Sequence, residues 1–197
     1  MDQLTRLSSY LYEDRKDLVQ EMLRPLVDGE TVHCQFVPGA LGNNSKVISS
    51  QSRLAKRSDD YHDWRFPIKV APRVWFHYFE IWMLTNNGRH CSLNRAYLHL
   101  YIRKDRDLGP LLCVHSDPLE QPADPENEKL RWQCEFKRGP HLHVSTAGDL
   151  AHCHFPLNYG HLGSVLSSIE DLTKAMADAI QIVRREVVEV YAASPRK

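Results

Sequence analysis

The sequence predicts an α+β domain: a single antiparallel β-sheet with N-terminal and long C-terminal helices packed on one face. Three observations lead there. An apolar stripe of helical period closes the chain, a shorter one opens it, and residues 67–157 between them read as successive strands joined by turn signals. Hairpin-connected strands flanked by terminal helices place those helices on one side of an antiparallel sheet. At 197 residues the chain suits one domain, 1–197, large enough to bury a core without disulfide staples.

Residues 1–28 read as a helical segment. Leu4, Leu7 and Leu11 form one spaced set, Leu18, Met22, Leu26 and Val27 a second, and Asp28-Gly29 supplies the stop. TVHCQFV (31–37) is a short strand. The polar stretch 38–64 is longer than most connections and reads as a loop, its Lys46, Arg53, Lys56 and Arg57 forming a solvated surface. VWFHYFEIWMLT (74–85), apolar on both faces, suits a central strand, and NNGR (86–89) signals a hairpin. In AYLHLYIR (96–103), Ala96, Leu98, Leu100 and Ile102 alternate with Tyr97, His99, Tyr101 and Arg103. DRDLG (105–109) turns the chain into LLCVHS (111–116), and LRWQCEFKR (130–138) supplies a further strand. Over 164–191, Val165, Ile169, Leu172, Met176, Ile180, Val183 and Val187 recur at steps of three and four, and Ser167 with Glu170 resembles a capping box.

Composition narrows the function classes. Lys+Arg and Asp+Glu both number 25, so no global basic field advertises a nucleic-acid partner. The apolar runs are far shorter than a membrane span and the N-terminus is polar and acidic, unlike a signal peptide; a cytoplasmic protein with no membrane partner is expected. The five cysteines have no CxxC spacing and read as reduced thiols. No Gly-rich phosphate loop, GxSxG elbow or HExxH pair is present.

The chemistry-bearing stretch is FKRGPHLHVSTAGDLAHCHFPL (136–157), with His141/His143 and His152/His154 either side of a polar turn. Residues two apart on a strand project from one face, so an antiparallel pairing of His143 with His152 also sets His141 opposite His154 and gathers four imidazoles. Three readings of that cluster compete. One is a site for Zn²⁺ or another divalent metal, with the four histidines as ligands and Asp149 or Asp117 nearby. Another is metal-free acid–base work on a phosphodiester, with Arg138 or the Tyr97/His99/Tyr101/Arg103 face steadying the phosphate. In the third the histidines are structural, satisfied by hydrogen bonds at the end of a sheet.

The same stretch, with Arg138, His141, His143, His152 and His154, resembles the histidine-rich end of TumE-type toxins of prokaryotic toxin–antitoxin pairs. The similarity covers about 25 of the residues, and the adjacent histidines of that pattern are separated here by Leu142 and Cys153. The resemblance implies a stress or defence setting, an RNA-directed toxin and a protein antitoxin as partner. On this reading His141, His143, His152 and His154 carry proton transfer or hold a metal. Arg138 binds substrate phosphate, with Tyr97, His99, Tyr101 and Arg103 as further substrate-binding residues. The competing class is a non-catalytic binding module, an accessory partner in a multi-protein defence system whose histidines are structural or hold a structural metal.

Overall fold

The structure is a computed structural model. It describes residues 6–8, 12–27, 34–38, 44–50, 67–84, 88–104, 107–117, 121, 123–129, 131, 141–144, 154–156 and 169–193. Its strands are β1 (Arg6–Ser8), β2 (Cys34–Pro38), β3 (Ser45–Ser50), β4 (Ile68–Ala71), β5 (Val74–Leu84), β6 (His90–Lys104), β7 (Asp107–Ser116), β8 (His141–Val144) and β9 (His154–Pro156). The helices are α1 (Tyr12–Leu23), continued by a 3₁₀ turn at Arg24–Leu26, and α2 (Ile169–Val183), continued through a π-turn at Arg184–Glu189 into α3 (Val190–Ala193). All strand pairings are antiparallel, in the order β2-β3-β5-β6-β7-β8-β9, with β1 added to β6 and β4 to β5. The α+β class is therefore as the sequence predicts. Among the described residues no helix is long and apolar enough to cross a membrane.

Side-chain alternation gives the sheet two different faces. Phe76, Tyr78 and Trp82 of β5, Leu98 and Leu100 of β6 and Val114 of β7 pack with Val19, Met22, Leu23 and Leu26 below α1 and with Met176, Ala179, Ile180 and Val183 of α2. The opposite face carries a smaller apolar group, Val47, Phe79 and Ile81, with Met83 and Tyr97 against it. A bulge opposite Ile81/Trp82 inserts Asn94 into β6, so that Leu93 and Cys91 join Ala96 in the helix-covered core.

An ion pair ties the helices to the sheet. Glu80, fully buried in the middle of β5, accepts hydrogen bonds from Arg15 Nε (3.0 Å), Arg15 Nη2, Tyr78 Oη (2.6 Å) and Trp82 Nε1 (2.9 Å). Arg15 comes from α1 and also donates to Thr173 Oγ1 of α2. Burial alone would lower the guanidinium's affinity for its proton, but the charge and hydrogen bonds of Glu80 reverse that and hold it above its ordinary value.

Several expectations change. Residues 6–8 form strand β1, with Leu7 opposite Cys91, where residues 1–28 were expected to be helical. In α1 the buried face is Arg15, Val19, Met22, Leu23 and Leu26, while Leu18 is 48% exposed. Of the expected stripe Met22, Leu26 and Val27 are buried and Leu18 is not; Arg15 and Val19 take the inward positions around it, where the guanidinium reaches Glu80. Strand β3 lies inside the expected 38–64 loop; residues 39–43 and 51–64 of that loop are outside the described residues. Its serines read as polar surface but are buried, and Ser50 Oγ both accepts from the Tyr78 N–H (2.8 Å) and donates to its carbonyl (3.2 Å). β7 begins at Asp107, within the expected 105–109 turn. Arg131, expected on a strand, closes a helical turn by donating its N–H to the Asn127 carbonyl (3.0 Å); residues 132–138 are outside the described residues. At the C-terminus the π-turn lengthens the step from Val183 to five residues, so Val188 is buried and Val187 only partly so.

Two predictions follow from the core. Arg15→Met leaves the Glu80 charge buried without its counter-ion and should lower unfolding free energy by about 3–5 kcal/mol. Adding Glu80→Gln to it should restore part of the loss, as read by urea denaturation in a double-mutant cycle. Burial, followed by the charge of Glu80, pushes the Cys34 thiol from 9.0 up to about 12. The unfolded chain then releases that proton first, so stability is full below pH 9 and falls as pH rises towards 12. Cys34→Ala should flatten the slope in denaturant melts across that range.

Candidate functional site

The face turned away from the helices carries the chemistry. Cross-strand pairing sets two adjacent rows of residue positions along it: His77, His99, Cys113, His143 and His154 in one, Phe79, Tyr97, His115, His141 and Pro156 in the other. Directly opposed residues in an antiparallel sheet share a face, so histidines from successive strands converge without any helix or loop to bring them together.

Within these rows the rings are in continuous contact. Tyr97 and His115 stack face to face with centroids 3.8 Å apart and planes 3° from parallel. His99 lies 5.6 Å from Tyr97 and 5.4 Å from His115, and His115 meets His141 edge-on at 5.6 Å. Phe79 closes the near side against His77, Tyr97 and His99.

Polar contacts orient these rings. Tyr97 Oη donates to Asp117 Oδ1 at 2.7 Å, His99 Nδ1 and Tyr101 Oη are 3.1 Å apart, and His77 Nε2 and Ser49 Oγ are 2.9 Å apart. His141 is 0% and His77 1% exposed, whereas His99 and His115 are partly exposed. Burial, then the neighbouring charge of Asp117, raises the Tyr97 phenol and the Cys113 thiol above their ordinary values. Cys113 is accordingly held as a thiol, a poor nucleophile.

Among the described residues, two overlapping sets bring metal-ligating atoms within 4.8 Å of one another: His99, Cys113 and His115, and His115, Asp117 and His141. Both use His115, so one ring serves one set at a time. Imidazole with carboxylate, or imidazole with thiol, suits a divalent transition metal.

Of the residues singled out from sequence, His141, Tyr97, His99 and Tyr101 are brought together. Arg103 is exposed, with its guanidinium over the Trp75 ring at 4.6 Å, beyond the ring cluster. β8 and β9 pair antiparallel, but His143 lies opposite His154 and His141 opposite Pro156, two positions along from the expected register. A two-residue shift preserves which face each position belongs to. His152 and Arg138 lie outside the described residues. Sequence reasoning passed over His77, Cys113 and His115 and gave Asp117 a minor place. Their signal was a histidine in each of three segments, FHYFE, YLHLY and CVHSD, and two in HLHV, all at positions of the same parity relative to the strand pairing.

No family model, curated protein or solved structure matches the chain. The geometry of this face is thus the ground for any functional reading. Tyr97→Phe removes the hydroxyl held by buried Asp117 while keeping the stacked ring, and should cost about 1–3 kcal/mol of stability in a thermal or urea melt.

Proposed function

We propose that the histidine face is the reaction site of a phosphodiesterase acting on RNA, in a cytoplasmic toxin-type protein whose partner is a protein antitoxin. The observation that carries this reading is the grouping of His99 and His115, partly exposed residues whose Nε2 atoms are themselves covered, with buried Asp117 and His141 behind them. His99, its ring oriented by Tyr101 Oη, takes the proton from an attacking ribose hydroxyl. The new bond from that oxygen to phosphorus breaks the bond to the chain's leaving oxygen, which receives the proton that His99 has taken. His115, Asp117 and His141 line the position beside His99. Arg138, for phosphate binding, and His143, His152 and His154, for proton transfer, remain proposed members of the site.

A second reading, a non-catalytic accessory module with structural histidines, draws support from the complete burial of His141 and near-complete burial of His77. One assay separates them. Purified protein should cleave single-stranded RNA, and His99→Ala, with its fold checked by circular dichroism, should lower the rate by about 10²–10⁴-fold. Equal rates in the variant, or no cleavage by the unaltered protein, would overturn the catalytic reading.

A further inference from the structure

We infer that His115, Asp117 and His141 form a binding site for one divalent transition-metal ion of the zinc class, with Tyr97 as its positioning residue. The inference deepens the phosphodiesterase reading by assigning those three residues a cation, but metal binding can be measured whether or not RNA is cleaved.

The placement is a product of one strand pair. His115 lies near the end of β7, Asp117 follows directly after that strand two residues on, and His141 lies opposite His115 on β8. A nitrogen of each imidazole and a carboxylate oxygen lie within 4.8 Å of one another. Bonds of about 2.0–2.1 Å in a tetrahedral shell set ligand atoms roughly 3.4 Å apart, so small side-chain rotations complete the chelate. Two neutral nitrogens and one carboxylate oxygen leave a coordination position open for water or a substrate oxygen, the arrangement of catalytic rather than closed structural sites.

Tyr97 distinguishes this set from its neighbour. Its ring lies flat against His115 at 3.8 Å and its hydroxyl donates to Asp117 Oδ1 at 2.7 Å, so one side chain orients two of the three ligands. Ligating groups are characteristically held in this way by outer hydrogen bonds, whose loss lowers metal affinity by about 10–100-fold. Asp117 and His141 are also both buried, at 7% and 0%, whereas His99 and Cys113, which stand in their place in the competing set, are partly exposed.

The test titrates metal-stripped full-length protein with Co²⁺ and then Zn²⁺, read by visible absorption and calorimetry. The expected result is one equivalent of Co²⁺ giving visible d–d bands, displaced by Zn²⁺, with no thiolate charge-transfer band in the near ultraviolet. Asp117→Asn, close in shape, and His115→Ala, at a partly exposed position, should each weaken binding at least about 100-fold. Tyr97→Phe should weaken it about 10-fold, and Cys113→Ser should leave it unchanged. Circular dichroism confirms that each variant folds. No stoichiometric binding, undiminished binding in Asp117→Asn and His115→Ala, or a thiolate band lost in Cys113→Ser would each overturn the assignment. Binding as expected without RNA cleavage would uphold this inference and overturn the phosphodiesterase reading alone.

Discussion

The Arg15–Glu80 pair sits where α1, α2 and the centre of the sheet meet, and the arrangement of the other elements depends on it. A carboxylate at full burial is tolerable only when its oxygens are satisfied, and Glu80 receives donors from a helix and from two neighbours on its own strand. Such a pair contributes little net stability relative to a packed apolar pair. Its effect is positional. It turns α1 so that Arg15 faces the sheet and Leu18 faces solvent, and through Thr173 it sets α2 beside α1 on the same side.

With both helices committed to that side, the other face is free to differ in character. Every residue that strand alternation turns away from Glu80, Tyr78 and Leu98 belongs to the ring-rich face, where His77, His99, His115 and His141 accumulate. Stability and the proposed chemistry are thus separated by the thickness of one sheet. The helix-covered face is closed by apolar packing, and the opposite one is built from aromatic stacking and hydrogen-bonded imidazoles, which hold rings in fixed orientations. Tyr97 links the two requirements, packing with the small Phe79 cluster while anchoring Asp117.

Strong periodicity was legible wherever packing alone decided the structure. Strand β5, the alternation of Ala96, Leu98 and Leu100, and the Met176/Ile180/Val183 stripe all lie where the pattern puts them. Legibility failed where a polar group did the work of an apolar one. β3 hid behind serines whose hydroxyls complete the hydrogen bonding of β5, and in α1 Arg15 rather than Leu18 shares the buried face with Met22. The π-turn shifted Val188 inward through backbone geometry that a fixed helical period does not contain.

The sequence by itself determined the α+β class, the side-chain parity of central strands such as β6 and the presence of an unusual density of histidine near residues 141–154. It also specified Tyr97, His99 and Tyr101 as one face of a strand. Only the tertiary structure decided which histidines meet. Parity places a residue on one of two faces, but its neighbours across the sheet depend on strand order and register, which arise from pairings between residues far apart in the chain. For that reason His115, unremarked in its own strand, becomes the centre of the cluster once β6 and β8 flank it.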